Sequence, residues 1–267
     1  MTHVSFLDPY QPRPSPVHHL DPRVKLILTL SFILATTLIA PGAWPIYVLL
    51  LALILAVEIA SELGVGFVWR RSALALPFVG AAVPIIFSAR GTALFSVPLG
   101  PWLLTVTQAG VERFISILLK SWLSVQAAVL LASTTTFPDL LLAMRGVRMP
   151  RLLVAIIGLM WRYLFVLADE ALRLLRARAA RSSQLPTSGR QGGGSLAWRA
   201  RVTGGMAGNL FLRSFERADR IYGAMASRGY DGEVRALSMS PLTPAAWLAM
   251  VLGLLILSLL VVLSYLL

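Results

Sequence analysis

One charge pattern limits what this chain can fold into. Long apolar runs with very few charges lie on both sides of a central basic block, residues 145–235. This block holds 16 of the 24 lysines and arginines but 6 of the 12 acids, and so carries +10 of the net charge of +12. Hydrophobic residues make up 57% of the chain, above the share in ordinary soluble domains. The sequence therefore predicts an all-α integral membrane protein.

The apolar runs predict about five transmembrane helices, of which the first two are near the shortest length that crosses a bilayer. The basic block is expected in the cytoplasm, since lysine and arginine concentrate on that side of membrane proteins. Arg23 and Lys25 flank the first run and place the N-terminus inside as well. We expect a multi-pass protein of the bacterial or archaeal cell (inner) membrane. The five predicted spans cover residues 24–40, 45–60, 73–88, 114–133 and 243–267.

These spans divide the chain into three predicted regions. Residues 1–133 form an N-terminal tail and four transmembrane helices, residues 134–240 form a cytoplasmic region, and residues 241–267 form a C-terminal transmembrane helix. A helix over 151–182 is apolar enough in its first half to suggest another span. We expect it instead to lie along the cytoplasmic face, because a crossing there would separate residue 134 from the basic stretch after residue 170.

The cytoplasmic region contains two amphipathic helices that end in basic triplets. The first helix ends at Ala180-Arg181-Ser182, and a polar link over 183–206 leads to the second. The second ends at Ser227-Arg228-Gly229, where the glycine is expected to adopt the left-handed conformation that closes a helix. A cation suits this end because the helix dipole is negative there. Contact with anionic lipid would also explain both ends.

Sites for catalysis, metals or nucleic acids are not evident. The chain has no cysteine, and its three histidines are His3, His18 and His19, of which the adjacent two should point apart. We therefore expect no metal site, no directly bound cofactor and no catalytic residue. The basic residues are not spread as a nucleic-acid footprint would be. Lys120, within the fourth span, must face protein or water, either as interior packing or as part of a proton relay.

Several stretches resemble one family of transport subunits. SPVHHLDPRVKLILTL, MWRYLFVLADEALRLLRARAARS and YGAMASRGYDGE are similar to the transmembrane T component of energy-coupling factor (ECF) transporters, specifically the CbiQ-type subunit of cobalt/nickel uptake systems. The family's two Ala-Arg-Gly-like triplets match Ala180-Arg181-Ser182 and Ser227-Arg228-Gly229. Serine replaces glycine in the first and alanine in the second, and Ala177-Arg178-Ala179 is an alternative register for the first.

The resemblance implies a coupling scaffold and not an enzyme. Two cytoplasmic ABC-type ATPase subunits would use the ATP and bind the arginine ends, while a CbiM-type membrane subunit, with or without a small accessory subunit, would capture the metal. The T component of a vitamin transporter is one alternative. Another is a membrane-embedded lipid or isoprenoid enzyme, for which the only adjacent acidic pair, Asp169-Glu170, is poorly placed to chelate a metal.

Overall fold

The computed structural model describes residues 9–73, 77, 80–88, 92–99, 102–181, 195–232 and 241–266; for residues 88, 93–99 and 102–105 it describes the backbone alone. The chain forms two compact units. The first, here named the helical body, contains Pro9–Val147 and Met239–Leu267. The second, named the helix pair, contains Arg148–Ser238 together with Met1–Asp8.

The helical body is built almost entirely from helices, and a single two-stranded hairpin interrupts them. Its described helices are α1 (Pro16–His19), α2 (Pro22–Leu38), α3 (Trp44–Ala60), α4 (Val65–Ser72), a 3-10 turn (Gly80–Ala82), α5 (Pro84–Ser88), α6 (Gln108–Thr134), α7 (Phe137–Gly146) and α10 (Pro244–Leu266). The strands are β1 (Ala93–Leu99) and β2 (Trp102–Thr107). The helix pair consists of α8 (Arg151–Arg181) and α9 (Leu196–Ala226).

Several helices of the body begin where the sequence places a cap or a proline. The Asp21 carboxylate accepts a hydrogen bond from the Arg23 amide at 2.9 Å, and Pro22 occupies the first turn of α2. The Thr136 hydroxyl caps α7 in the same way, through the Asp139 amide. Such caps satisfy amides that the helix itself leaves unpaired. These starts lie within two residues of the predicted ones.

The predicted third span is wrong as a continuous helix. In the described part of residues 73–88, Pro77 is helical, the 3-10 turn Gly80–Ala82 follows, and the five-residue helix α5 begins at Pro84. Proline lacks an amide hydrogen and disfavours the helical conformation in the residue before it, so that an α-helix has to restart there. The sequence predicted kinks at Pro77 and Pro84 within one span, whereas at Pro84 the structure has a full break followed by a new helix.

A β-hairpin follows, where the sequence predicted an external loop or a shallow hairpin. Strands β1 and β2 pair antiparallel, with Ser96 opposite Thr105. The helix after the hairpin, α6, begins at Gln108 and not at residue 114. The Thr107 hydroxyl accepts from the Gly110 amide at 3.2 Å and so caps the helix six residues earlier than the apolar run suggests.

The core of the body lies where α2, α3 and α6 meet. Ile46, Leu50 and Ile54 project from one face of α3, and each is at most 3% exposed. They belong to one apolar cluster with Leu123 of α6 and Leu257 of α10. Gly253 of α10 lies against Leu28 of α2, so closely that a Cβ atom would come within 2.6 Å of the leucine methyl group.

Polar side chains from two other helices cap the C-terminal end of α2. The Lys120 ammonium of α6 donates to the carbonyls of Thr37 and Ile39 at 2.9 and 2.6 Å. The Tyr265 hydroxyl of α10 donates to the Leu38 carbonyl at 2.8 Å. The last carbonyls of a helix have no partner within it, and a cation suits the negative end of the dipole. This half-buried lysine is therefore a helix cap, which agrees with the interior-packing interpretation.

The helix pair differs from its prediction in one respect. Residues 196–206, predicted as part of a flexible link, form the first turns of α9, and the Ser195 hydroxyl caps them through the Trp198 amide. Glycines at 204 and 205 suggested a link because each costs a helix about 1 kcal/mol. Contacts with α8 outweigh this cost, among them a hydrogen bond from Arg178 to Thr203. Residues 183–194 of the predicted link lie outside the described part of the chain.

Three described helices are long and apolar enough to cross a membrane by length and composition: α6, α8 and α10. The apolar helix α3 is shorter, and α2 has 17 residues. The set includes α8, which the sequence analysis placed along the cytoplasmic face. The number of spans and their orientation stay predictions.

Candidate functional site

The C-terminal end of α9 is a fully formed left-handed cap. Gly229 has a φ of +80°, as predicted, and its amide donates to the Ala226 carbonyl at 3.0 Å. The next amide, that of Tyr230, reaches back to the Met225 carbonyl, also at 3.0 Å. These two bonds define a Schellman motif, in which Arg228 is the capping residue. The backbone around Arg228 is therefore fixed, while its side chain is exposed.

The C-terminal end of α8 carries the other predicted triplet. The helix ends at Arg181, the last described residue before the gap at 182–194. Both Ala180 and Arg181 are exposed. Ser182, the third member of the triplet, lies outside the described residues. The alternative register is centred on Arg178, one turn earlier. The Arg178 guanidinium donates to the Thr203 hydroxyl at 3.1 Å and lies 5.9 Å from the centre of the Trp198 ring, and is thus engaged within the helix pair.

A charge network fixes α8 against α9. Glu170 of α8 binds Arg173 one turn away on its own helix and Arg213 of α9, each at 3.0 Å. Its carboxylate side chain is 15% exposed, whereas both arginines are mostly exposed. A carboxylate shared by two guanidinium groups makes charge-assisted hydrogen bonds, which are stronger than neutral ones. The spacing of Glu216 and Arg220, four residues apart on α9, favours an ion pair, and this pair forms at 4.0 Å on the surface, where it contributes little.

The order of these contacts makes the two helices antiparallel. Glu170 pairs with Arg213, and Arg178, farther along α8, contacts Thr203, which is earlier in α9. The basic ends consequently lie at opposite ends of the pair. Arg228 follows Thr203 by 25 residues, which at the standard helical rise separates it from the Arg178 contact by about 37 Å. This spacing is wide enough for each end to meet a different protein subunit.

The guanidinium groups at the two ends are available for binding. Among the described residues, neither the Arg181 nor the Arg228 guanidinium has a hydrogen-bond or ion-pair partner. The same holds for the guanidinium of Arg176, which lies on the side of α8. By contrast, Arg173, Arg178 and Arg213 are engaged between or along the helices. The helix pair therefore uses part of its arginines to hold itself together and leaves others exposed at its two ends.

Large apolar side chains are exposed next to the Arg228 end. Phe215 and Tyr222, which the sequence placed on the apolar face of this helix, are 62% and 67% exposed. Phe211, one turn before Phe215, is 69% exposed and extends the same face. The sequence analysis did not single out this residue, because the apolar pattern of the helix was followed only from residue 213 to the helix end. An aromatic strip beside an exposed arginine has the composition that protein interfaces favour.

The alternative sites have little support in the structure. Glu170, half of the only adjacent acidic pair, is engaged by two arginines, so that it is not free to hold a metal and diphosphate. His18 contacts the Ser15 hydroxyl and the Gln11 carbonyl at 2.6 and 2.9 Å, and burial lowers its pKa. Within the described ranges, no three His, Cys, Asp or Glu side chains are grouped so that they could hold a metal ion. His3 lies outside those ranges.

Comparison with known proteins identifies transport subunits among the relatives. The cobalt transport protein CbiQ of Rhodobacter capsulatus is 29% identical over 192 residues, which are 68% of this chain and 75% of that protein. The energy-coupling factor transporter transmembrane protein EcfT of Ruminiclostridium cellulolyticum is 27% identical over 233 residues, 84% of this chain and 82% of that protein. A putative fused cobalt transport protein, CbiMQ of Methanocorpusculum labreanum, is 24% identical over 258 residues, 90% of this chain but 40% of the fused protein.

The family comparison agrees with these relatives and covers most of the chain. The sequence profile of CbiQ, described as "Cobalt transport protein", matches residues 13–239. This range begins before α1 and ends after the Schellman motif at Gly229, so that it includes all of the described helices except α10. The chain therefore belongs to the CbiQ family of cobalt transport proteins.

Proposed function

We propose that this protein is the transmembrane coupling subunit, or T component, of an ATP-driven importer of the energy-coupling factor type, with cobalt or nickel as its cargo. Membership of the CbiQ family supports the transport role and the cargo. The match to an EcfT protein supports the place of the chain within such a transporter. The protein itself is not expected to hydrolyse ATP, which would be the task of two partner ATPase subunits in the cytoplasm.

The observation that carries the proposal is the pair of exposed arginine ends. Arg181 and Arg228 lie at opposite ends of two antiparallel helices, and none of the described side chains pairs with either guanidinium. Each end would insert into a groove on one ATPase subunit. There the planar guanidinium would form charge-assisted hydrogen bonds to carboxylates or carbonyls. The engaged state of Arg178 favours Arg181 as the centre of the first triplet.

The helix pair gives the coupling a simple mechanical basis. A helix is stiff over the roughly 37 Å that separate the Arg228 end from the Arg178 contact. When ATP draws the two ATPases together, the two ends would be displaced relative to each other, and the Glu170 bridge to Arg213 would carry this displacement from one helix to the other. The spanning helices would then reorient the subunit that holds the cargo. In this mechanism ATP binding favours one arrangement of a two-state element.

The metal would be captured by a separate membrane subunit of the CbiM type. The fused relative, named CbiMQ, supports this pairing, because its name joins the two components in one chain. The cargo has two candidates, since EcfT-named relatives match the chain with an identity similar to that of the CbiQ-named ones. A vitamin importer is therefore the second candidate, and the identity of the membrane partner distinguishes the two.

The proposal is tested by affinity purification of the protein from its own membranes, followed by mass spectrometry of its partners. The wild-type protein should bring down ATPase subunits together with a membrane subunit of the CbiM type. Arg181→Ala and Arg228→Ala should each weaken ATPase binding by at least about 30-fold, corresponding to roughly 2 kcal/mol for a dominant interface residue. The double variant should lose the ATPases completely, and metal uptake with them.

Matched controls come from arginines on the sides of the same helices. Arg176→Ala removes an exposed charge one to two turns before Arg181, and Arg220→Ala removes one two turns before Arg228. Both should retain the ATPases. If all four variants lose them equally, the charges act as a diffuse basic surface and the specific docking role is refuted. A vitamin-binding membrane subunit in place of the CbiM type would assign the protein to the second candidate function.

A further inference from the structure

A narrow apolar groove runs along the helical body. Its volume is about 260 Å³, and α2, α3, α6 and α10 all contribute to its walls. Val57 of α3 and Ile256 of α10 are 37% and 38% exposed, so that the groove opens at the surface between these two helices. The other lining residues include Leu20, Leu28, Phe32, Ile54, Leu130 and Leu257.

One charged residue, Lys25, lines this groove. Its side chain is buried, with 7% of the residue exposed, in the first turn of α2. The ammonium donates to the carbonyl oxygens of His18 and Thr134, at 3.1 and 3.0 Å. An ammonium group has three donors, and among the described residues the third has no acceptor. The groove therefore has a cationic hydrogen-bond donor at one end of an apolar channel.

The charge of Lys25 is incompletely compensated within the protein. Its two acceptors are neutral carbonyls, and the described residues include no carboxylate within ion-pair distance of it. The nearest acids that act on it, Asp139 and Asp21, do so only through space, and each accepts a hydrogen bond at a helix start. A buried charge without a counter-charge is costly, so that an anion beside it would be stabilising.

The positions along α2 give the groove a direction. Lys25 lies in the first turn of α2, at the start of the predicted first span, and Phe32 lies seven residues farther, about 10 Å along the helix. An occupant would thus carry its anionic group at the membrane surface and its apolar part deeper.

We propose that this groove is a binding site for one anionic phospholipid, whose phosphate is bound by Lys25 and whose acyl chain lies along α2. The charge at one end and the apolar walls beyond it match the two halves of such a lipid. A bound lipid would anchor α2 to one leaflet of the membrane. It would also fill the gap that α2, α3 and α10 leave between them. It does not depend on the ATPase-docking role of the helix ends.

The first experiment is native mass spectrometry of the purified protein with palmitoyl-oleoyl phosphatidylglycerol or with phosphatidylcholine of the same chains. The wild type should retain one molecule of phosphatidylglycerol at least about tenfold more tightly, the size of one charge-assisted hydrogen bond. Glycerol 3-phosphate alone should not compete at equal concentration, because it lacks the chain. Equal binding of both lipids, or full competition by glycerol 3-phosphate, would overturn the proposal.

Substitutions distinguish the binding of the lipid headgroup from the binding of its acyl chain. Lys25→Met should abolish the preference for phosphatidylglycerol, and Lys25→Arg should keep it. Thr29→Phe fills the groove while Lys25 keeps its hydrogen bonds, and should reduce the retention of both lipids. Leu30→Phe is the matched control, because Leu30 is the next residue of α2, is 55% exposed and does not line the groove. If Thr29→Phe retains the lipid as Leu30→Phe does, the groove is not the site.

A photocrosslinker identifies the occupant in the membrane even if a variant folds poorly. The benzophenone amino acid p-benzoylphenylalanine, placed at position 57 at the mouth of the groove, should give an adduct with the mass of a phospholipid when it is activated in native membranes. The same group at position 34 of α2, 62% exposed and outside the groove, measures bulk lipid contact. A protein adduct at position 57, or equal lipid yields at both positions, would contradict the proposal.

Discussion

At the scale of single residues, Lys120 shows how a charge can be stable within an apolar helix. Its two hydrogen bonds satisfy carbonyls that α2 cannot pair by itself, and Tyr265 satisfies a third. The sequence predicted that Lys120 must face protein or water. It could not identify the acceptors, because they lie more than 80 residues earlier in the chain. Long-range contacts of this kind leave no trace in local periodicity.

Replacement of this lysine tests the cap. Lys120→Met keeps the length of the side chain but leaves two carbonyls without a donor, which should cost about 2 kcal/mol of folding free energy. The midpoint of thermal unfolding in detergent should fall by roughly 4–8 °C. Tyr265→Phe, which removes one neutral donor at the same helix end, should have a smaller effect.

The proton-relay alternative makes a different prediction for the same variant. Lys120→Met would then leave the unfolding midpoint unchanged and abolish metal uptake. Lys120→Arg is informative as well, since it keeps a charged donor for the α2 carbonyls while an arginine does not release its proton. Loss of uptake by Lys120→Arg at wild-type stability would contradict the role of a helix cap.

At the scale of helices and strands, the sequence predicts most clearly where apolar runs end at prolines or caps. The last helix was predicted over residues 243–267 and is Pro244–Leu266. The beginning of α9 was missed because its glycines resemble a linker, whereas in the structure Ser195 caps the helix at this point. The pairing of α8 with α9 could not be predicted, since Glu170 and Arg213 are 43 residues apart. The sequence also could not decide between the triplets centred on Arg181 and on Arg178, because the partner of Arg178, Thr203, is 25 residues away.

The Schellman motif at the end of α9 offers a matched pair of glycines. Both Gly223 and Gly229 have open space where a Cβ would be, but only Gly229 has a positive φ. Gly229→Ala should therefore destabilise the cap by about 1 kcal/mol, whereas Gly223→Ala should stabilise the helix by a similar amount. Hydrogen exchange of a peptide that covers residues 223–232 should be faster in the first variant and slower in the second.

The comparison of these two variants also addresses the position of Arg228. If the cap aims the guanidinium, Gly229→Ala should weaken ATPase binding in proportion to the loss of exchange protection, and Gly223→Ala should leave it intact. Equal exchange rates in the two variants would mean that the left-handed turn does not hold this helix end. The Arg228 side chain would then owe its position to the partner and not to the cap.

At the scale of the whole molecule, the fold class follows from composition, and the path of the chain does not. The structure confirms an all-α membrane protein, and the family profile matches residues 13–239. One helix, α8, satisfies the length and composition of a span and yet carries Arg162 within its apolar half. The positive-inside rule places its two ends on the same side of the membrane. By its length and composition, however, α8 could also cross the bilayer.

Cysteine labelling resolves the path of α8, because the native chain contains no cysteine and each substitution reports on one position. Met149→Cys precedes α8 and Ala177→Cys lies in its last two turns, and both side chains are exposed. In intact cells a membrane-impermeant maleimide should label neither variant, and both should react after permeabilisation. Leu266→Cys, expected outside, should react in intact cells, and Arg13→Cys, in the N-terminal segment, should not. Labelling of exactly one of positions 149 and 177 in intact cells would show that α8 crosses the bilayer. The two arginine ends would then require a different assignment of sides, since Arg181 follows Ala177 within the same helix.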